Sequence, residues 1–281
     1  MNSKLSRPVA TSTAARLHPG AVLLIAALFS ACTSRGPLDS GDRPPAEPRD
    51  ISGVMDAVPR VEPYSRYGNP ASYVVYGKRY HTLSGSDGYE ERGIASWYGS
   101  KFHGRRTSSG EPYDMYEMTA AHKTLPLPTY AKVTNLDNGR SVILKINDRG
   151  PFHANRIIDL SYVAAARLGI LENGTGVVEV KAIDPLSSAQ PHVVSVEKPL
   201  TRNDMALFLQ VGAFRNKDNA ERLGRKLQAS DLGEIHIVEG GASTGNLYRV
   251  QIGPLASVDD ADRISNSLIS LGISDTRIVI D

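Results

Sequence analysis

An internal repeat near the end of the chain restricts the fold more than any other feature of this sequence. The segment QVGAF, beginning at Gln210, aligns with QIGPL at Gln251, and AERLGRKL, beginning at Ala220, aligns with ADRISNSL at Ala261. The offset is 41 residues in both alignments. Each half has the pattern strand, helix, strand, and two such halves form a four-stranded antiparallel sheet backed by two helices. We therefore expect residues 204–281 to be an α+β domain with one sheet face covered and the other free to bind a ligand.

Residues 73–185 carry mainly strand signals. The strand-like runs are GIASWYG, YAKVTNL, SVILKI and GVVEVKAI, and Asn138-Gly139 between the second and third is a strong hairpin signal. The run LSYVAAARLGI instead predicts a helix from Leu160 to about Gly169. Many short strands with one or two helices indicate a small barrel rather than a doubly wound sheet.

Charge and cysteine content exclude several classes of function. The net charge is +2, which gives no strong basic field, so nucleic-acid binding is not expected. A single cysteine allows neither an internal disulfide nor the core of a structural zinc site. His103, His122 and His153 lack the spacing of zinc ligands, and we expect neither a metal nor another cofactor. Ten of the 12 tyrosines lie between Tyr64 and Tyr130, a distribution that suits sugar recognition or ordinary packing.

The N-terminus has the pattern of an export signal. Three basic residues, Lys4, Arg7 and Arg16, precede the run AVLLIAALFSAC. Its apolar core, residues 21–29, is too short to remain as a membrane-spanning helix. The run resembles a bacterial lipobox, which implies that residues 1–31 are a lipoprotein signal peptide and that Cys32 carries the lipid. The alternative is an ordinary cleaved signal followed by an incidental cysteine.

The residues next to Cys32 indicate which membrane would hold the lipid anchor. Phe29 departs from the Leu that is usual in a lipobox, although Leu28 stands one position earlier. Thr33 follows Cys32, where an Asp would resemble an inner-membrane retention signal, so the sequence favours the outer membrane. We expect residues 32–72, whose first part is rich in Pro, Asp and Arg, to be a disordered tether, and residues 186–203 to be a second linker.

Asp148 is a candidate catalytic acid because of its place in the run KINDRGPF. It follows an apolar strand and precedes Gly150-Pro151, which ends the strand sharply and would hold the carboxylate in a fixed place. Arg149 could pair with a carboxylate and orient it. The alternative is that Asp148 only caps its own turn.

Glu111 and His122 are the other candidates, and each is weak when considered alone. Glu111 lies in the polar loop SSGEPY and has the pattern of a solvated side chain, while His122 in TAAHKTLPLP has that of a packed one. Together with Asp148 they suggest glycosidic bond cleavage, which needs a proton donor and a stabiliser of oxocarbenium-like charge. The chain has no G-x-S-x-G and no HExxH motif, so acyl transfer and zinc proteolysis have no support.

The stretch from Gly93 to Ala182, including GIASWYGSKFHGRRTSSGEPYDMYEMTAAHKTLPLPTY and LKINDRGPF, closely resembles the rare lipoprotein A family of Gram-negative bacteria. The residues just upstream, YVVYGKRYHTLSGSDGYEERG, are also similar to the family. The repeat domain resembles a SPOR domain. The implied fold class is mainly β plus α+β: a six-stranded double-psi β-barrel over residues 73–185, followed by a ferredoxin-like SPOR domain over residues 204–281.

The resemblance implies a lytic transglycosylase that cuts the MurNAc–GlcNAc bond of peptidoglycan without water and leaves a 1,6-anhydro end. Asp148 would protonate the leaving oxygen and then accept the proton of the muramoyl 6-hydroxyl. Glu111 would stabilise charge, and His122 would position the two. The loop of Glu111 and His122 would form one wall of a glycan cleft, and Asp148 with Arg149 the other. The alternative is a non-catalytic wall-binding lipoprotein; an expansin-like wall loosener and a hydrolase are further rivals.

The resemblance of the C-terminal domain implies that it binds glycan strands stripped of their stem peptides. We expect the contacts to come from polar and aromatic residues of the free sheet face, namely Gln210, Phe214, Tyr248, Arg249 and Gln251. Gln210 and Gln251 hold equivalent places in the repeat and should point the same way. Stripped strands are abundant at the division septum, so we expect septal enrichment and septal division proteins as further partners.

Overall fold

The computed structural model describes residues 43–45, 47, 49–186, 206–240 and 247–281. The predicted signal peptide, Cys32 and residues 187–203 of the predicted linker lie outside the described residues. No helix within the described ranges is long and apolar enough to cross a membrane.

The first domain is a closed barrel of six strands, as predicted. Its elements are the hairpin β1 (Ser72–Val75) and β2 (Lys78–His81), then β3 (Glu90–Tyr98), β4 (Thr119–His122), β5 (Thr129–Asn135), β6 (Ser141–Asp148), β7 (Arg156–Ser161), α1 (Tyr162–Leu168) and β8 (Gly176–Ile183). The barrel order is β3-β7-β4-β6-β5-β8. The pairs β3–β7 and β4–β6 are parallel, and the other four pairs are antiparallel.

Alternation of side chains along the strands builds the barrel core. In β5, Ala131 and Val133 are fully buried while Lys132 between them is exposed, because successive side chains of a strand point to opposite faces. The predicted hairpin at Asn138-Gly139 is confirmed, and Gly139 has the positive φ of 72° that this turn needs.

The helix prediction is confirmed at its C-terminal end and wrong at its start. Gly169 ends α1 with a φ of 74°, and its N–H bonds to the carbonyls of the last turn. Leu160 and Ser161, which were expected to be helical, close strand β7 instead. The Ser161 side chain accepts a hydrogen bond from the Ala164 N–H and so caps the helix.

The second domain has the predicted repeat architecture. Its elements are β9 (Leu207–Phe214), α2 (Lys217–Gln228), β10 (Ile235–Glu239), β11 (Tyr248–Leu255), α3 (Val258–Ser270) and β12 (Arg277–Ile280). The four strands form one antiparallel sheet in the order β10-β11-β9-β12. Leu209 of β9 lies opposite both Ile252 and Ile278 in a buried row, and these residues belong to the same apolar core as Ala220, Leu227, Ala261 and Leu268 of the two helices.

The prediction that the tether extends to residue 72 is wrong for the leading segment, which we define as residues 49–69. This segment lies on the barrel. The Ala57 N–H donates to the Ile143 carbonyl at 2.9 Å, and the Ser65 N–H donates to the Leu127 carbonyl at 2.8 Å. Arg167 donates to the Val54 carbonyl at 2.5 Å. Composition suggested disorder, but backbone hydrogen bonds to the barrel order this stretch.

The N-cap of α3 provides a test of the second domain. The Ser257 hydroxyl oxygen accepts from the Asp260 N–H at 3.1 Å and its O–H donates to the Asp260 carboxylate at 2.9 Å. We expect Ser257→Ala to lower the free energy of unfolding by about 1 kcal/mol, because an orphan helix N–H loses its partner. Ser257→Thr keeps the hydroxyl, so its free energy of unfolding should fall much less. Urea unfolding of both variants measures the difference, and equal stabilities would contradict this account of the cap.

Candidate active site

The two predicted carboxylates lie at one end of strand β6, where Asp148 is the last strand residue and Glu111 belongs to the neighbouring loop. Strand β4 pairs with β6 in parallel, and the register shifts so that Ala120 lies opposite Ile146 and Ala121 opposite Asp148. The residue that is skipped, Asn147, is a bulge. The loop of residues 107–111 lies beside this strand end, where its Ser109 N–H donates to the Asn147 carbonyl at 3.2 Å.

Asp148 is half-buried and held through one carboxylate oxygen. Its Oδ1 accepts hydrogen bonds from the Ser108 N–H at 2.7 Å, the Ser108 hydroxyl at 2.6 Å and the Arg149 N–H at 2.7 Å. Every hydrogen bond that Asp148 accepts from the described residues goes to Oδ1. The arrangement fixes the carboxyl group through Oδ1.

Glu111 is more exposed, and its two oxygens have different partners. Lys145 Nζ donates to Oε1 at 2.9 Å, and Asn147 Nδ2 donates to Oε2 at 2.8 Å. Desolvation alone would raise the pKa of Glu111, but the hydrogen bonds from Lys145 and Asn147 and the charge of Lys145 outweigh it and lower the pKa. Glu111 is therefore ionised at neutral pH and suited to stabilise positive charge.

Glu111 lines an open groove of about 760 Å³. Lys145, Asn147, Tyr116 and Tyr130 belong to its barrel side, and residues of the leading segment form another side. Asp148 does not line the groove but directly follows Asn147, which does. The structure thus brings Glu111 and Asp148 together through one loop and two consecutive positions of β6.

The prediction that Arg149 pairs with a carboxylate is wrong. The described acceptors of its guanidinium group are three backbone carbonyls, of Gly68 at 2.8 Å, His122 at 3.1 Å and Leu125 at 2.5 Å, and the Asn69 side-chain oxygen at 3.0 Å. Burial lowers the pKa of Arg149. A guanidinium has five N–H donors, and this arrangement commits most of them to joining three chain segments behind Asp148.

His122 does not form a wall of the Glu111 groove, contrary to expectation. Its side chain is 2% exposed and lines a different cavity of about 490 Å³, whose other residues come from both the barrel and the second domain. Nδ1 accepts from the N–H groups of Thr124 at 3.2 Å and Leu125 at 3.0 Å, so the ring proton is on Nε2, 2.9 Å from the Tyr89 hydroxyl. His122 reaches the carboxylates only indirectly, through the bond from Arg149 to its carbonyl.

The five residues expected to bind glycan in the second domain do not share one exposed face. Gln210 and Gln251 lie directly opposite each other across β9 and β11 and so point the same way, which confirms that prediction. Gln251, however, is only 3% exposed. Phe214 and Tyr248 are also paired and pack against the apolar core, and the alternation of β11 puts Arg249 on the opposite face from Tyr248.

Several site residues were missed by the sequence reasoning. Lys145 and Asn147 alternate with Ile146 in the run LKIND, and polar residues at alternate strand positions were an available signal. Ser108 gave no signal in the sequence, since serines are common in loops.

Asp159 is a further carboxyl group that the sequence reasoning missed. It lies opposite Ala121, which is also the partner of Asp148. Burial raises the pKa of Asp159, although Ser96 donates a hydrogen bond to it.

The protonation state of His122 can be tested directly. Burial, with the charges of Arg149 and Lys123, lowers the pKa of His122 from 6.5 to about 3. The unfolded chain binds a proton near pH 6.5 and the folded chain does not, so the contribution of His122 to stability is complete above that pH and is lost as the pH falls. We expect the ring nitrogens to show no titration between about pH 8 and pH 5 by ¹⁵N NMR. A titration midpoint near 6.5 would contradict the buried neutral ring.

Comparisons with known proteins agree with this architecture. Residues 90–182 match the family model described as "Lytic transglycolase", and residues 206–276 match the model of the SPOR domain. The chain is 37% identical to "Endolytic peptidoglycan transglycosylase RlpA" of Pseudomonas aeruginosa, over 87% of this chain and 91% of that protein. It is 40% identical to the protein of the same name from Vibrio cholerae, over 89% and 92%.

Among solved structures, the RlpA SPOR domain from Pseudomonas aeruginosa is 34% identical, with a TM-score of 0.25 over 26% of this chain and 96% of that one. The similarity to the two full-length relatives extends through both domains and includes the loop of Glu111 and the end of β6. The chain therefore belongs to the RlpA family.

Proposed function

We propose that this protein is a lytic transglycosylase of peptidoglycan that cleaves the MurNAc–GlcNAc bond and leaves 1,6-anhydroMurNAc ends. The observation that carries the proposal is that Asp148 and Glu111 are pinned at one strand end but have different surroundings. Asp148 is half-buried and held through one oxygen, while Glu111 is kept ionised by Lys145 and Asn147. Two carboxyl groups in unlike environments can divide proton transfer and charge stabilisation between them.

The reaction then follows from these two groups. Asp148 gives its proton to the glycosidic oxygen as the bond between that oxygen and C1 of the muramoyl sugar breaks. The Glu111 carboxylate stabilises the positive charge that develops at C1 and the ring oxygen. The 6-hydroxyl of the same sugar attacks C1, and Asp148 accepts the hydroxyl proton and returns to its starting state. No water is consumed. Arg149 and His122 act as positioning residues because their side chains bind the protein itself.

The rest of the chain supports an assignment to the cell envelope. SPOR domain and RlpA relatives together favour a protein associated with peptidoglycan. We propose further that Cys32 carries a lipid that holds the protein in the outer membrane facing the periplasm, that the substrate is glycan without stem peptides, and that the protein is enriched at the septum with division proteins. The N-terminal lipobox pattern and the resemblance of the repeat domain are the grounds for these finer proposals.

A non-catalytic glycan-binding role remains the rival function, and one observation favours it. Asp148 does not line the groove that contains Glu111, as a proton donor to a bound glycan should. In this alternative the barrel binds a glycan strand through its tyrosines without cleaving it.

The decisive variant for the reaction is Asp148→Asn. We expect it to lower the release of anhydro products from amidase-treated sacculi by about 100-fold or more, because the amide cannot transfer the proton. Glu111→Gln removes the stabilising charge and should lower the release of anhydro products by about 100-fold. Both variants should still sediment with sacculi as the wild type does. Mass spectrometry of the products is the measurement; if the wild-type protein releases no cleavage products of any kind, the binding role is correct.

The second domain has its own test. We expect Gln210→Ala combined with Arg249→Ala to weaken sedimentation of the whole protein with amidase-treated sacculi by roughly tenfold, because each replacement removes hydrogen-bond donors on the same sheet face. A matched control is Glu221→Ala with Arg225→Ala on α2, where the two side chains pair 3.7 Å apart on the helix surface. Equal losses for the two double variants would contradict binding by this sheet face.

A further inference from the structure

We propose that the leading segment, residues 49–69, positions the catalytic carboxylates of the active site and does not merely pack against the barrel. Glu62 positions Glu111 through Lys145, and Gly68 positions Asp148 through Ser108. Neither residue touches the reacting atoms, so both are positioning residues. The inference rests on the proposed function for its consequence on rate, but the contacts and the first test below do not depend on that function.

The first link is a lysine shared between two carboxylates. Lys145 Nζ lies 3.0 Å from Glu62 Oε2 and 2.9 Å from Glu111 Oε1, and its side chain is only 19% exposed. Glu62 is itself held, because the Tyr130 hydroxyl donates to its Oε1 and Arg60 Nε lies 3.4 Å from the same oxygen. The leading segment therefore supplies one of the two anions that fix the lysine.

This sharing matters because a lysine side chain is long and flexible. Its ammonium group is a point charge on a four-carbon stem, and holding it in one place costs side-chain entropy. An exposed lysine–carboxylate pair contributes little when it stands alone. With Glu62 and Tyr130 on one side, Lys145 is placed before any ligand arrives, so Glu111 meets a pre-positioned cation.

The second link is a close approach of two backbones. Gly68 has a φ of +83°, and a Cβ at this position would lie 2.7 Å from the Ser108 carbonyl oxygen and 2.9 Å from Leu127 Cδ1. Ser108 is the residue that donates both its N–H and its hydroxyl to Asp148. Only glycine fits here, and any side chain would push directly on the loop that holds the catalytic acid.

The same part of the leading segment is tied to the residue after Asp148. Arg149 donates to the Gly68 carbonyl at 2.8 Å and to the Asn69 side-chain oxygen at 3.0 Å. Asn69 in turn exchanges hydrogen bonds with the Leu127 backbone, both at 2.8 Å. Both carboxylates of the site are thus supported from one segment that precedes the barrel strands.

The first test is Glu62→Gln, measured as the titration of the Glu111 carboxyl by ¹³C NMR and as the pH dependence of cleavage. Lys145 lowers the pKa of Glu111 more than the charge of Glu62 raises it, so a Lys145 that is less well placed should raise the pKa of Glu111 and shift the acidic limb of the rate profile to higher pH. We also expect kcat to fall roughly tenfold with KM little changed, because Lys145 is less well placed. Glu172→Gln, at an exposed position away from the groove, is the matched control and should change none of these.

The second test compares two glycines. Gly77 has a φ of +77° but no atom within 4 Å of a Cβ, so Gly77→Ala reports the backbone strain without the contact. We expect Gly68→Ala to lower the cleavage rate by roughly tenfold or more beyond Gly77→Ala, since a small displacement of a catalytic group is costly. If Gly68→Ala does not fold, the result for Glu62→Gln alone tests the positioning role of the leading segment.

The outcomes separate the two proposals. If the pKa of Glu111 in Glu62→Gln is equal to or below that of the wild type, and both folded variants cleave at the wild-type rate, the positioning role of the leading segment is wrong. If instead the Glu111 titration shifts as expected while the wild type releases no anhydro products, the positioning holds and the proposed enzymatic function fails.

Discussion

The site depends on the attachment of the loop of residues 107–111 to the end of β6. Two hydrogen bonds from Ser108 to Asp148 Oδ1, at 2.7 and 2.6 Å, connect the loop to the strand, and Asn147, the residue at the bulge, donates to Glu111 at 2.8 Å. Without this attachment the two carboxylates would belong to independent elements. With it, a single strand end sets the position of both, and the rigid barrel holds both carboxylates in place.

Polar residues near this strand end divide into those that line the groove and those that hold the protein together. Glu111 and Lys145 line the groove. Arg149 and His122 have the chemistry of catalytic groups, but their side chains are satisfied within the protein. A half-buried arginine that bonds to carbonyls of separate segments stabilises their relative positions, because each broken bond would leave a partly desolvated donor unpaired. The leading segment enters the same network through Gly68.

Sequence reasoning predicted the fold well and the site only in part. Periodicity and the repeat located the barrel strands and the C-terminal sheet, because burial on one face of a strand leaves a pattern of period two. The same local reasoning could not find the contact between residue 62 and Lys145, which lie far apart in the chain. It also placed His122 in the groove and Gln251 on an open surface, since burial by a distant element leaves no local signal. The content of Pro, Asp and Arg in residues 32–72 wrongly suggested that the leading segment was disordered.

In the proposed reaction the muramoyl sugar closes on its own 6-hydroxyl while Asp148 carries one proton. The most direct test is digestion of amidase-treated sacculi in water enriched in oxygen-18, followed by mass spectrometry of the new chain ends. We expect the new ends to be anhydro and to contain no heavy oxygen, because water takes no part in the reaction. Incorporation of one heavy oxygen at each new reducing end would contradict this reaction and identify a hydrolase.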